Sequence, residues 1–169
     1  MRSWMTRCYE LFKRSMSSLQ SPLLLLVRLY WGWQFAQTGW GKLQNLSRVT
    51  GFFAQLGMPL PHVTAVWVSL LEFGGGILLA VGLASRPIAL LLAVDMLVAY
   101  LAADMASFTS FFSDPGKFYG ADPFTFLAAS LLVLIFGPGR FALDSLFARR
   151  FAGDGTRISA DTQGARKQP

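Results

Sequence analysis

Histidine and cysteine are nearly missing from this chain, which has one of each, Cys8 and His62, among its 169 residues. One chain so composed forms no internal disulfide, no CxxC redox pair, no Cys/His zinc site and no bis-histidine haem, so no metal or haem is expected. Charge is scarce as well, at 14% of residues, with nine acidic side chains against fifteen basic ones. A net charge of +6 would suit nucleic acid if the surface were polar. With 53% hydrophobic residues and a mean hydropathy of +0.44, however, the chain holds more apolar surface than one small soluble core can hide. The bilayer is the expected solvent and partner. Loops flanking membrane helices account for the positive charge, and no nucleic-acid partner is expected.

Four apolar blocks are present, at 22–43, 63–84, 87–103 and 123–136. A span takes about 20 residues, with a range of roughly 17 to 25, so the first two suffice and the other two are short. Phe118 and Tyr119 extend the fourth outward, although Asp122 before Pro123 reads as a helix start. Between the second and third blocks lie only Ser85 and Arg86, flanked by Gly82 and Pro87, which predicts a tight antiparallel hairpin. The GPG at 137–139 ends the fourth block. The basic N-terminus runs 21 residues before the first block, which contains Arg28 and is followed by no small-residue cleavage site. A retained helix is therefore expected rather than a signal peptide.

Eleven of the fifteen basic residues fall in three regions. Arg2, Arg7, Lys13 and Arg14 precede the first block, Arg86 marks the hairpin, and Arg140, Arg149, Arg150, Arg157, Arg166 and Lys167 follow the fourth. Four spans bring these regions to one side, away from Arg48 and Lys117, and the positive-inside rule then puts both termini in the cytoplasm of a plasma (inner) membrane protein. Residues 1–21 are expected to form an amphipathic cytoplasmic segment, with Trp4, Cys8, Leu11, Phe12 and Leu19 near helical spacing beside Arg7, Lys13 and Arg14. Residues 22–146 form the transmembrane domain, and 147–169 a basic tail, polar and disordered beyond Gly153. Phe141, Leu146, Phe147 and Phe151 with Arg149 and Arg150 read as a second interfacial flank. The outer stretch ASFTSFFSDPGKFYGADPF reads as a cap on the membrane surface. The expected fold is all-α, an integral membrane four-helix bundle with short amphipathic flanks.

Ionisable residues inside a membrane are costly, about 2.5 to 3.5 kcal/mol for an arginine on insertion scales, and mark functional positions by default. Arg28, Gly32, Phe35, Gly39 and Lys42 share one helical face, Glu72 shares another with Gly75, Gly76, Leu79 and Gly82, and Asp95 lies with Ala99 and Ala102. Counting about 1.5 Å per residue from the cytoplasmic ends puts Arg28 roughly 9 Å deep, Asp95 roughly 12 Å and Glu72 roughly 18 Å. An ion pair of Arg28 with Asp95 or Glu72, or one shared by all three, is expected, and the three form the candidate catalytic core. The competing reading is that such a pair only fixes helix register. A carboxylate left over suits proton transfer or a hydrogen bond to a quinone oxygen. Trp31, Trp33 and Trp40 with Gln34 and Gln37 are candidates to line a site for an aromatic head group, against packing or interfacial anchoring. Trp40, Lys42 and Gln37 are the candidate quinone contacts. His62 reads as a solvated loop residue, and the GGG at 74–76 as a helix-packing feature, since it lacks GxGxxG spacing and a preceding strand.

RLYWGWQFAQTGWGKL, FFAQLGMPLP, LEFGGGILLAVGLASRPIALLLAVDMLVAY and GPGRFALD, in that order, resemble the successive landmarks of DoxX-family membrane proteins over roughly residues 23–146. The likeness is carried by Arg28, Gly39, Lys42, Gly57, Glu72, Gly75, Gly76, Gly82, Arg86 and the GPGR ending at Arg140. It implies a four-helix integral membrane protein. Some relatives are subunits of a thiosulfate:quinone oxidoreductase, and others are associated with complexes handling thiols and oxidative stress. The expectation is thus a subunit of a quinone-linked membrane redox system, with a cytoplasmic or membrane redox partner protein. The alternatives are a non-catalytic scaffold recruiting cytoplasmic partners, and a small carrier acting as a homo-oligomer.

Overall fold

The computed structural model describes residues 2–145, apart from the side chains of residues 2–6, 14, 15 and 17. Among the described residues the elements are α1 (Arg2–Gln44), α2 (Leu46–Gln55), α3 (Pro61–Val81), α4 (Ser85–Ala103), α5 (Met105–Thr109), α6 (Pro115–Gly120) and α7 (Asp122–Phe136), with no strand. Helix α1 packs along α3 and α4 along α7, and contacts of α3 with α4 and of α1 with α7 close a four-helix bundle. Proline opens α3, α6 and α7, where its missing N–H leaves no bond unmade. Gly82 ends α3 in the left-handed conformation at φ 80°, which a glycine adopts without strain. The hairpin turn is residues 82–84, so Ser85 and Arg86, expected in the turn, begin α4.

The bundle is built inside out relative to a soluble one. Helix α3 buries Ala65, Ser69, Glu72, Gly75, Gly76 and Leu79, while Trp67, Leu70 and Ile77 face outward. Helix α4 likewise exposes Leu90, Leu91, Val94, Leu97 and Leu101. In water this would be an apolar patch wrapped round the molecule. In lipid it is the expected arrangement, since small residues let helices approach and large apolar ones face the acyl chains. Helices α3 and α4, at 21 and 19 residues, are each long and apolar enough to cross a membrane, and α7 is a shorter apolar helix of 15 residues. This is an all-α membrane protein.

Helices α1 and α3 touch backbone to backbone. A Cβ on Gly32 would lie 2.7 Å from the Gly76 carbonyl oxygen, one on Gly76 would lie 2.5 Å from the Ala36 nitrogen, and one on Gly39 would collide with the Phe73 backbone. Phe35, Leu79, Leu92, Met96 and Val133 fill the space beside this crossing. Gly32, Gly39 and Gly76 of the stripes read from the sequence therefore form the α1–α3 interface, while Gly75 faces Ile88 and Leu92 of α4.

Two features differ from the sequence expectation, in α1 and α2. Helix α1 runs unbroken through Pro22 for 43 residues, so the N-terminal segment and the first apolar block belong to one helix; Leu11, Phe12 and Leu19 are exposed along it. Residues 46–55 form a helix where only a loop was expected. The Phe-rich outer stretch is folded onto the bundle end. Tyr100 stacks on Phe118 at 5.4 Å and 9°, and its hydroxyl donates to the Phe118 carbonyl at 2.7 Å. The Trp4 side chain, Leu146 and the 147–169 tail with Phe147, Arg149, Arg150 and Phe151 lie outside what the structure describes.

Candidate functional site

Polar groups gather at two levels of the bundle. At the hairpin end, the Arg28 side chain is 1% exposed and donates to three carbonyls: Nε to Leu79 at 3.0 Å, one terminal nitrogen to Ala80 at 3.1 Å, and the other to Pro138. Leu79 and Ala80 are in the last turn of α3, whose carbonyls have no partner within the helix and carry its negative dipole end. The same end is closed by Asp144, whose carboxylate accepts from the backbone N–H of Ala84 and of Ser85 at 2.8 Å each. Its own N–H donates to the Gly82 carbonyl at 3.0 Å. Burial opposes the charge on Asp144, but these N–H donors and the nearby Arg28 outweigh it and hold the carboxyl below the usual aspartate range.

Arg28 therefore pairs with neither Glu72 nor Asp95, and the expected ion pair is corrected: its partners are backbone carbonyls. Glu72 is held instead by Lys42, with Nζ 2.5 Å from Oε1. The reason lies in how helix side chains lean, towards their own N-terminus. From Lys42, in the last turn of α1, that direction leads into the bundle towards Glu72. From Arg28 it leads out towards the end of α3.

Above Lys42 and Glu72 lies a cavity of about 500 Å³ between α2, α3 and α4. Its walls are Val49, Phe52 and Phe53 of α2, Leu56, Met58 and Pro59 after it, Thr64 and Val68 of α3, and Met96, Val98, Ala99, Ala102 and Ala103 of α4. Lys42, Glu72, Asp95 and Arg48 are its charged residues. A smaller cavity of about 230 Å³ on the other side of the same groups shares Lys42, Glu72, Met96 and Ala99 and reaches Asp122 and Phe126 of α7. The Glu72 side chain is 2% exposed, and its Oε2, like Asp95 Oδ2, is buried without a hydrogen-bond partner. Asp95 interacts electrostatically with both Glu72 and Lys42.

Of the residues named from sequence, Glu72, Asp95 and Lys42 come together here. Arg28 stands apart at the hairpin end. Trp40 and Gln37 face outward, Trp40 lying 51% exposed against Phe73 with ring centroids 5.4 Å apart, and neither lines either of these two cavities. Trp31 packs on Phe126, and His62 is exposed. Arg48 and the aromatic pair Phe52 and Phe53 were missed. The LSRVTGFFAQ segment carries an amphipathic pattern that could have found them, but Gly51 in its middle reads as a breaker.

The sequence that builds this arrangement has relatives among membrane proteins. Residues 23–105 match the DoxX family. The chain is a membrane protein of the DoxX type. This DoxX protein is 28% identical over 140 residues to the inner membrane protein YqjF of Escherichia coli (strain K12), covering 80% of this chain and 100% of that one. It is 29% identical over 148 residues to the membrane protein Rv3486 of Mycobacterium tuberculosis (strain ATCC 25618 / H37Rv), covering 80% and 88%. No solved structure gives a significant match.

Proposed function

We propose that this DoxX protein is a subunit of a quinone-linked membrane redox system, with the ring of the quinone taken up in the cavity over Lys42, Glu72 and Asp95. The observation that carries this reading is the composition of the cavity: about 500 Å³ of apolar wall with one cation and two carboxyls converging on its floor. Sites for small ligands are built in this way, from apolar surface with a few placed polar groups. The residues fit such a ring. Phe52, Phe53 and Met96 supply apolar and aromatic surface, and Lys42 and the carboxyls can hydrogen-bond its oxygens. When bound, the quinone supplies two-electron carrier chemistry; the chain binds it, keeps water from it and manages protons at the carboxyls. A partner protein supplies the electron donor, for which the family resemblance favours thiosulfate or another thiol-type sulfur compound.

In this proposal the chain crosses the inner membrane four times with both termini in the cytoplasm. Basic residues support that orientation, because Arg86 and Arg140 lie at the Arg28 end with the N-terminal cluster, whereas Arg48 and Lys117 lie at the cavity end. The cavity then occupies the outer half of the bilayer.

A second reading, a non-catalytic scaffold, is favoured by one observation: the exposed apolar residues Leu11, Phe12 and Leu19 on the N-terminal part of α1, which suit a cytoplasmic partner helix. Quinone binding and reduction by the purified protein in lipid nanodiscs, alone and with co-purifying partners, using thiosulfate and thiols as donors, separates the two. Saturable quinone binding that is lost in Glu72→Gln with the fold intact supports the redox site. Absence of binding and turnover with partners present supports the scaffold.

A further inference from the structure

The polar atoms at the cavity floor do not add up. Lys42 and Glu72 form a neutral pair through Oε1. What remains are two carboxyl oxygens, Glu72 Oε2 and Asp95 Oδ2, both buried and both without a donor. The other charged groups facing this level are Arg48 of α2 at the rim of the larger cavity and Asp122 of α7 at the smaller one. Neither forms an ion pair with the carboxyls, since Lys42–Glu72 is the salt bridge among the described residues. A second ionised carboxylate beside Glu72, with no donor, would carry both the desolvation of a buried charge and the repulsion of a like one. A single proton removes both. Placed between Asp95 and Glu72, it satisfies the two orphaned oxygens at once and leaves the set of Lys42, Glu72 and Asp95 neutral.

We propose that Glu72 and Asp95 form a carboxyl–carboxylate pair that holds one exchangeable proton at the cavity floor, and that this pair exchanges protons with the head group of the bound ligand. The first half stands on the cluster and the cavity alone; the second rests on the quinone reading above. A hydroquinone hydroxyl can hydrogen-bond to a carboxylate of the pair, and a quinone oxygen can accept from the shared proton, so one site serves both forms of the ring. The proton moves between a ring oxygen and a carboxyl oxygen, one O–H bond breaking as the other forms, and no electron passes through the pair. Lys42 sets the charge that makes this possible. With the ammonium present, the set of Lys42, Glu72 and Asp95 is neutral when the carboxyl pair carries one proton, and it costs least to bury in that state.

The test is infrared spectroscopy of the full chain in lipid nanodiscs at neutral pH. A protonated-carboxyl stretch is expected that shifts on transfer to D2O, disappears in Asp95→Asn and in Glu72→Gln, and persists in Asp122→Asn. Should the two variants not fold, carboxyl-13C glutamate and, separately, aspartate labels are used: a band that moves with the glutamate label belongs to Glu72, since Glu10, the other glutamate, is exposed, and one that moves with the aspartate label is assigned to Asp95 when it also persists in Asp122→Asn. Absence of any such band in the wild type, or one indifferent to both labels, overturns the proposal. A short-chain quinone and its hydroquinone are then titrated into the nanodiscs. A shift of the band on binding supports proton exchange with the ligand. Quinone that binds and leaves the band unmoved overturns the second half while the quinone reading stands. If neither form binds, the quinone reading fails and the second half falls with it, and the band decides the first half alone.

Discussion

The two polar clusters of this DoxX protein are built from the same kinds of residue and finished in opposite ways. At the hairpin end Arg28 has three carbonyl partners, Asp144 has two N–H partners, and Gly82 sits so close to the guanidinium that a Cβ there would overlap it. Every charged group here has its partners, and among the described residues the buried polar atom left over at this end is the neutral Ser85 hydroxyl. At the other end Lys42 and Glu72 satisfy each other, two carboxyl oxygens are orphaned, and cavities of about 500 and 230 Å³ open beside them. Fully satisfied buried polar groups fix structure, whereas unsatisfied ones beside a cavity are what a binding site looks like before its ligand arrives. One cluster holds the bundle together, and the other is available for chemistry.

The largest effect that would test this division is on stability at the hairpin end. Arg28→Leu removes charge-assisted hydrogen bonds worth about 1.5 to 3 kcal/mol each and strands the α3 carbonyls. A loss of about 3 to 5 kcal/mol in unfolding free energy, measured by thermal or denaturant unfolding in nanodiscs, is expected, with Arg28→Lys intermediate because one ammonium cannot span three acceptors. An Arg28→Leu protein as stable as the wild type would remove the lock from the argument.

The converse experiment acts on the cavity floor. Replacing Lys42 with Met and both Glu72 and Asp95 with Leu exchanges a buried ionic set for apolar side chains, which elsewhere leaves stability unchanged or raises it by about 1 to 4 kcal/mol. Quinone binding should be lost entirely while the fold is kept. A strong destabilisation would instead make this cluster structural as well and collapse the distinction between the two ends.

How far this division was legible in the sequence depends on the physics behind each part. The second, third and fourth apolar blocks correspond to α3, α4 and α7 within a few residues, and the first lies within the longer α1 and ends one residue before it does, because long apolar composition is set by the bilayer rather than by local competition. The stripes Gly32 and Gly39 on α1, and Gly75 and Gly76 on α3, were readable because helical spacing alone places them. The partner of Arg28 was not, since every residue carries a backbone carbonyl and none advertises itself as an acceptor. Lys42 for Glu72 could have been found: the lean of a helix side chain towards its N-terminus distinguishes two cations fourteen positions apart on one face. Arg48 was hidden because α2 contains Gly51 and follows α1 with only Asn45 between them.

Acid provides a smaller test of the hairpin end. Asp144 caps the first N–H groups of α4, a role typically worth about 1 kcal/mol. Because its folded carboxyl lies below the ordinary range, its contribution is complete above the unfolded value of about 4 and is lost as pH falls through the lower folded value. Asp144→Asn should cost about 1 kcal/mol at neutral pH and flatten that part of the acid-side stability profile. An unchanged profile would show that Asp144 does not contribute to the lock.

The smallest effect is the most pointed one for ligand placement. Trp40 has the right chemistry for an aromatic ring and sits two residues from Lys42, yet helical rotation turns it outward, onto Phe73, while Lys42 turns to the cavity. In lipid, trimming a half-exposed indole gives up no transfer free energy comparable to that in water, only contacts such as an aromatic pair at about 0.5 to 1.5 kcal/mol. Trp40→Ala is therefore expected to lower stability by no more than about 1 kcal/mol and to leave quinone binding within about twofold, with Gln37→Ala the same for binding. Lys42→Met should lower binding at least about tenfold, since it removes a charged hydrogen-bond donor from the site. The contrast between neighbours on one turn carries the information. If Trp40→Ala abolished binding and Lys42→Met did not, the ring would be docking on the lipid-facing side of α1, and the cavity over Glu72 and Asp95 would need another occupant.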